Sequence, residues 1–392
     1  MRRDPGLIFA NLGCENDWAP SSARRGLSAR AMCTAVACAT TLRAFALPGD
    51  KLWVPGPVED LVLPQAPGLE EVELIGGRLR GLSFAHVLAW GETEAAQAIR
   101  KRARRVPGGL DGPLGEVLWR APAPGVEAAR SANDRRFALE CSRSLGCALE
   151  GAAVIGTITE LRTWLDRELP GRSTGDAWVL KAPYSSSGRE RVQGAGQKLP
   201  ASLEGRIASL LGRFGGLICE PWMDRTADFG VCAILGEESL RALPPHRLEV
   251  DSHGAFLGIA LRPGAPGDCG LEPLELTELQ RVVEGVAIRL RALGYCGPFG
   301  IDCWRWRDLS GAVRFHPLGE INARMSFGLV ARALAERLEA AGEMAAQSGL
   351  FRMRVGDVEA MRRAREASGA RVIPLVESRE SPEVAAWIEL QG

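Results

Sequence analysis

The chain has 392 residues, with 48 Lys+Arg against 48 Asp+Glu, and 46% of its residues are hydrophobic. That length predicts about two to three domains. The composition excludes a mostly disordered chain, and the balanced charge gives no pull toward nucleic acid or an anionic membrane. Its 46 Gly and 24 Pro are scattered without a period, which excludes a fibrous repeat.

The lysines are few: Lys51, Lys101, Lys181 and Lys198, with every other cation an arginine. Each lysine therefore stands out from its background. Ten cysteines include no C-x-x-C, so free thiols in a reducing compartment are expected rather than zinc knuckles or a disulfide framework. The apolar run 7–10 is too short for a signal segment, and Arg43 interrupts the apolar stretch 31–48. The chain reads as cytoplasmic, with no membrane segment.

In chain order, residues 7–10 predict a short buried strand followed by a loop over 11–20. A helix is expected over 27–42, strands near 51–54 and 82–90, and a polar helix over 92–105. Strands alternating with helices predict a parallel α/β unit. Gly/Pro-rich breaks at 107–113 and 121–125 end it. Beyond them, 134–145 has helical spacing, and Thr157 with Glu160 predicts a capping box for a helix that Pro170 stops. Residues 178–181 read as a strand and 184–197 as a Ser/Gly-rich loop. Strands follow at 217–220, 229–235 and 255–260. A second capping box, Thr277 with Gln280, opens a helix that Gly294 ends. Its inner face would carry Leu279, Val282, Val283, Val286, Leu290 and Leu293. Residues 299–306 and 313–321 predict antiparallel strands around a turn at 308–311, then a helix over 326–346. The tail adds a basic helix (358–367) and a strand (371–376).

Four segments carry chemistry. In the first, Lys181 ends a strand and Ser185, Ser186, Ser187, Gly188 and Arg189 follow at once. Backbone N–H groups, hydroxyls and a glycine suit a phosphate cradle, and a lysine delivered by a buried strand asks for an anionic partner. The second is Glu220-Pro221-Trp222-Met223, a strand end turning into apolar residues, with Asp228 soon after. The third places Asp302 in an otherwise apolar strand. The fourth is Glu320-Ile321-Asn322-Ala323-Arg324, whose alternation points Glu320, Asn322 and Arg324 to one side. A turn near 310–311 returns the chain so that Asp302 comes within a residue or two of Glu320. Two carboxylates and an amide oxygen form a hard-oxygen set suited to Mg²⁺. Arg324 beside them is a fork for phosphate or carboxylate. Taken singly, each segment also has a bland reading as linker, strand end or solvated charge.

In this order the four segments resemble those of ATP-grasp enzymes, over roughly residues 130–345. The chain is similar to ATP-grasp carboxylate–amine ligases, with D-alanine–D-alanine ligase and biotin carboxylase as distant relatives. The resemblance implies an α/β fold, α+β in its core, behind an N-terminal Rossmann-like domain. The implied division is 1–125 for that domain, 126–215 for a small subdomain with the phosphate lid, 216–348 for the metal-binding subdomain and 349–392 for a C-terminal extension. It implies ATP and Mg²⁺ as cofactors. Lys181 and residues 185–189 would meet phosphate. Glu220 would meet the adenine amino group, Trp222 and Met223 would supply hinge backbone, and Asp228 would meet the ribose. Asp302, Glu320 and Asn322 would hold Mg²⁺, and Arg324 would steady an acyl phosphate. Two positions depart from the family pattern. Arg135 stands where an earlier ATP-binding lysine is usual, and Glu190 where the lid usually has a small residue.

The reaction so implied joins a small-molecule carboxylate to an amine, on amino acids or small peptides, through an acyl phosphate. Neither nucleic acid nor membrane is an expected partner, and a homodimer is the default assembly. Among Arg241, His246, Arg247 and Arg262, which lie between the hinge and the metal strands, Arg262 is the candidate for a substrate carboxylate. His316, next to the metal strand, is a candidate for packing or for supporting the metal residues. Three alternatives stay open: an ATP-grasp kinase, a degenerate nucleotide-binding module without turnover, and an unrelated α/β protein whose motif matches arise by chance.

Overall fold

The computed structural model describes residues 5–24, 26, 28–56, 58, 61–77, 79, 84–103, 110–169, 175–185, 190–251, 256–262, 269–344, 350–367, 369–378 and 385–391. Three sheets organise them. The first is parallel, in the order Glu73–Ile75, Lys51–Trp53, Leu7–Phe9, Val87–Ala89. Leu7, Ile8 and Leu52 are fully buried there, as short apolar strands of a parallel sheet should be. Helices Ala29–Thr40 and Glu94–Arg100 accompany this sheet, capped by the side chains of Ser28 and Thr93.

The second sheet is antiparallel, in the order Ala153–Ile155, Leu217–Pro221, Ala177–Lys181, Arg191–Ala195. Helix Ile158–Glu168 enters it through the Thr157 cap, whose side chain accepts from the Glu160 N–H. The 184–197 segment is not all loop: Arg191–Ala195 pairs with Ala177–Lys181. The glycine that suggested a loop has a packing cause. A Cβ on Gly194 would lie 2.1 Å from the Trp178 ring, so only glycine lets the indole cross this strand.

The third sheet is the largest. Its path runs Val313–Asn322, Gly297–Arg307, Asp224–Leu235, His246–Val250, Phe256–Leu261, Leu350–Gly356, Ala385–Gln391, Ala370–Ser378, Leu61–Val62, with Leu240–Ala242 paired beside Asp224–Leu235. The tail strands thus extend this sheet, and Leu61–Val62 pairs with Ala370–Ser378. Helices Pro273–Ala292 and Phe327–Ala340 pack with it. The first of these buries Leu279, Val282, Val283, Val286 and Leu290. Its capping box is one turn earlier than the sequence suggests. Glu272 is the cap, and its N–H donates to the Glu275 carboxylate at 2.8 Å. Proline at the first helical position fixes the start there, leaving Thr277 inside the helix with its hydroxyl donating to the Pro273 carbonyl.

His246 gives the fold a pH response. It is 3% exposed, and its Nδ1 has no hydrogen-bond partner among the described residues. Burial first, then the Arg332 charge, push its pKa down to about 3. The folded chain keeps this imidazole neutral while the unfolded chain takes up a proton near pH 6.5. Between those values the unfolded state binds more protons, so stability falls on acidification. Moving from pH 7.5 to 5 is expected to cost about 2 kcal/mol through this group. Urea unfolding of His246→Leu at both pH values should show the loss reduced by that amount. An unchanged loss would assign the acid response to other groups, such as His316, which burial lowers to about 4.

Candidate functional site

The site lies where the second and third sheets face each other. Lys181 closes its strand, and Glu220 sits on the neighbouring strand opposite Val179. Their side chains meet, Lys181 Nζ to Glu220 Oε2, at 2.5 Å with 17% and 14% of each exposed. Burial pushes the Glu220 carboxyl up, but the Lys181 ammonium, followed by the charges of His316 and Arg225, more than offsets it and holds it below the ordinary value. The lysine that the sequence marks as needing an anion has found one within the chain.

The hairpin of Gly297–Arg307 and Val313–Asn322 sets the acidic set. Its register places Asp302 directly opposite Glu320 and Gly300 opposite Asn322. Asn322 Nδ2 donates to Asp302 Oδ2 at 3.2 Å, and Arg324 Nη2 donates to Asn322 Oδ1 at 2.9 Å. Burial and the facing Glu320 charge push Asp302 up to about 7, against the opposing pull of Arg324, Asn322 and Arg225. A carboxyl whose proton is held more tightly beside a second carboxylate marks an acidic pair that a divalent cation would neutralise. Among the described residues no group of three or more His, Cys, Asp and Glu side chains is gathered as a metal site. By donor chemistry alone, two carboxylates and one amide suit an ion that takes a few protein oxygens and completes its shell with phosphate and water, as Mg²⁺ does.

Arg135 begins the helix Arg135–Ser144 and reaches both halves of the site. Its Nη1 donates to the Ala182 carbonyl and Ser185 Oγ, at 2.7 and 2.8 Å. Its Nη2 donates to the Ser185 carbonyl and Glu320 Oε1, each at 2.8 Å. Its Nε is buried with no partner among the described residues. Ser186, Ser187, Gly188 and Arg189 lie outside the described residues. On their far side, Glu190 has φ 55°, the left-handed region. Its carboxylate is held by both terminal nitrogens of Arg213, at 2.9 and 2.8 Å. The acid that departs from the family pattern is thus neutralised by a helix residue.

At the hinge, the Trp222 N–H donates to the Ala177 carbonyl at 2.9 Å, so that donor is committed within the sheet. Met223 is buried, and its carbonyl accepts from the Arg225 N–H at 3.0 Å. Asp228 accepts from Arg225 Nη1 at 2.9 Å and lies opposite Trp304 across the strands. Of the cations between hinge and hairpin, Arg241 donates to the Leu110 and Gly112 carbonyls. Arg247 lies 5.9 Å from the Phe229 ring centroid, and Arg262 is exposed after Phe256–Leu261. None of these observations ties Arg262 to the acidic set. His316 is buried, with its ring 4.6 Å from that of Trp304.

Two residues at the centre carry no role in the sequence reading: Trp304 and Arg225. The Arg225 guanidinium stacks 3.7 Å from the Trp304 ring centroid, and Lys181 Nζ lies 5.9 Å from it. Gly319 makes this possible, since a Cβ there would fall 1.6 Å from a Trp304 ring carbon. The sequence held a signal: Trp304 follows Asp302 at a strand spacing of two, and Gly319 precedes Glu320 on the paired strand. The third unread residue is Glu15, whose Oε1 faces Arg324 Nε at 2.7 Å.

No protein-family model and no curated protein matches the chain. Solved structures do. Biotin carboxylase from Campylobacter jejuni, in a complex with a β,γ-ATP ligand, is 12% identical with a TM-score of 0.56, covering 99% of this chain and 87% of that one. N5-carboxyaminoimidazole ribonucleotide synthetase from Thermus thermophilus is 15% identical with a TM-score of 0.55, covering 99% and 93%. The N5-carboxyaminoimidazole synthetase of Staphylococcus aureus, complexed with ADP, is 13% identical with a TM-score of 0.54, covering 99% and 92%. Likeness at such low identity over nearly the whole of each chain is one of architecture: the chain has the ATP-grasp fold behind an N-terminal parallel α/β unit.

Proposed function

We propose that the chain is an ATP- and Mg²⁺-dependent carboxylate–amine ligase that forms an amide or peptide bond through an acyl phosphate, releasing ADP. One observation carries this reading: Asp302 faces Glu320 across a hairpin register, with Arg135 on Glu320 and on the Ala182–Ser185 turn that opens the lid. Acid pair, cation and lid base meet at one point, as phosphoryl transfer requires.

In this reading the site works by position and charge. Residues 1–125 form the N-terminal domain, 126–215 the lid-bearing subdomain, 216–348 the metal-binding subdomain, and 349–392 a C-terminal extension of its sheet. Glu220, Trp222, Met223 and Asp228 line the nucleoside end. Lys181, Arg135, Ser185 and the lid residues Ser186, Ser187 and Gly188 serve the phosphates. Asp302, Glu320 and Asn322 would hold Mg²⁺, which when bound neutralises charge on the phosphate oxygens. A substrate carboxylate oxygen attacks the γ-phosphorus, and the bond to ADP breaks. The amine nitrogen then attacks the acyl carbon, phosphate leaves, and the nitrogen loses a proton. Lys181 and Arg324 offset the charge that develops, and the closed lid keeps water from the acyl phosphate. The partners are small molecules, amino acids or short peptides first, with neither nucleic acid nor membrane involved. Because one similar structure is named a carboxylase, bicarbonate belongs in the acid pool as well. No helix among the described residues is long and apolar enough to cross a membrane.

One observation favours a second reading. All four terminal N–H bonds of Arg135 are used within the chain, which suits a nucleotide-binding module without turnover. The two readings, and the kinase, separate in one assay. ADP release is measured with MgATP, pooled amino acids, bicarbonate and hydroxylamine, beside Glu320→Ala. Hydroxamate from the wild type and none from the variant is the expected result. ADP without hydroxamate, with bicarbonate left out of the pool, would make the chain a kinase. An ATP-induced rise in melting temperature with no ADP release on any substrate would make it a module.

A further inference from the structure

Arg324 turns from the end of the acidic hairpin toward the N-terminal unit and is held on three sides. Its Nε faces Glu15 Oε1 at 2.7 Å, Nη1 donates to the Met325 carbonyl at 2.9 Å, and Nη2 donates to Asn322 Oδ1 at 2.9 Å. The Arg324 and Glu15 side chains are 13% and 9% exposed, so this ion pair is sheltered from water.

Glu15 is delivered by a fixed scaffold. It sits on the short helix Cys14–Trp18, which follows the first parallel strand. The Trp18 indole N–H donates to the Glu92 carbonyl at 2.9 Å. Asn11 ties this loop to the one after Val87–Ala89, donating to the Gly91 carbonyl at 2.8 Å and accepting from the Gly91 N–H at 3.2 Å. The Met325 N–H, next to Arg324, donates to the Trp90 carbonyl at 2.9 Å. The carboxyl ends of two neighbouring parallel strands, where open α/β sheets present functional groups, are therefore stitched to the end of the hairpin. From there a continuous line of polar contacts runs from Glu15 through Arg324 and Asn322 to Asp302.

We propose that Glu15 is a positioning residue of this site: its carboxylate, supplied by the N-terminal unit, aims the Arg324 guanidinium and through it sets the Asn322 amide beside Asp302. This rests on the ligase reading only in taking Asp302, Glu320 and Asn322 as Mg²⁺ ligands. The physical reason is charge. A sheltered guanidinium seeks a carboxylate, and without Glu15 the nearest candidates are Asp302 and Glu320. Arg324 would then compete with the cation for its own ligands. Glu15 holds that charge off the metal set while leaving it close enough to act on phosphate.

The test is calorimetric titration of the full chain with ADP, with and without Mg²⁺, reading the ratio of the two affinities. In Glu15→Gln that ratio is expected to fall at least ~5-fold relative to wild type. Glu15→Asp, which keeps the charge, should recover most of it. Trp18→Phe, which loosens the same helix without touching Arg324, should keep the wild-type ratio. A wild-type ratio in Glu15→Gln, or an equal fall in Trp18→Phe, would overturn the proposal, the second by reducing Glu15 to a packing element. A wild-type chain that binds no ADP under either condition would overturn the nucleotide reading and this proposal together, so the two failures are distinguishable.

Discussion

Replacing Lys181 by methionine is expected to remove MgATP turnover, by about 10²–10³-fold or more, and to lower stability by about 3 kcal/mol. The stability loss comes from Glu220. Its carboxylate is sheltered on the strand beside Lys181, and the ammonium is the main force keeping it ionised. Removing the ammonium strands that charge. Glu220→Gln alone strands the ammonium and should also destabilise. The double variant Lys181→Met with Glu220→Gln removes both charges and is expected to recover most of the stability, since a sheltered ion pair contributes little beyond its neutral replacement. Turnover should not return with it. Urea unfolding of the three variants, with ADP release measured beside it, separates the two effects. A double variant as unstable as Lys181→Met would show that Lys181 supports the fold by packing rather than by charge. The pH dependence has a definite sign. Glu220 has a lowered pKa in the fold, so its contribution is complete above the ordinary carboxylate value near pH 4.3. It is lost as pH falls through the lower folded value.

Much of the fold was legible because its signals are local. The alternation of Glu320, Asn322 and Arg324 is a property of an extended chain, and the turn at 308–311 fixes where the hairpin returns. Those two facts bring Asp302 within a residue or two of Glu320, and the register makes the pairing direct. The helix Pro273–Ala292 likewise shows its buried face in its spacing. The parts that were not legible depend on contacts between distant segments. Glu15 and Arg324 are far apart in sequence, and nothing local in Cys14–Trp18 marks a carboxylate aimed at the hairpin. Of the tail strands, only 371–376 gave a strand signal, and nothing local in it showed the sheet it would join; Leu350–Gly356 and Ala385–Gln391 gave none. Gly194 misled for a related reason: a glycine that makes room for an indole from another strand looks the same in sequence as a glycine in a loop. Arg225 could have been read from its spacing of three to Asp228. Its stacking on Trp304 needed the hairpin in place.

Arg135 is the residue through which metal and nucleotide should feel each other. Its guanidinium sits on Glu320, one of the candidate Mg²⁺ ligands, and donates to the carbonyls and hydroxyl at the lid base. A divalent cation approaching alone meets a positive charge already on its ligand. A nucleotide phosphate offers Arg135 another anion, frees Glu320 and brings oxygens of its own. Each ligand then lowers the cost of the other, and linkage requires the effect to be mutual. Arg135→Gln removes the competing charge. It is expected to raise the affinity for Mg²⁺ alone about 5- to 50-fold and to reduce the coupling between Mg²⁺ and ADP by a similar factor. Calorimetric titration with Mg²⁺, first alone and then with ADP saturating, reads both. Mg²⁺ affinity unchanged by the substitution would mean that Arg135 does not guard Glu320, and its role would reduce to anchoring Ala182 and Ser185. Arg135→Lys sharpens the distinction, because an ammonium keeps the charge but cannot make four contacts in one plane. If charge on Glu320 is what matters, the lysine variant keeps the coupling. If the anchoring is what matters, it loses the coupling as fully as glutamine does.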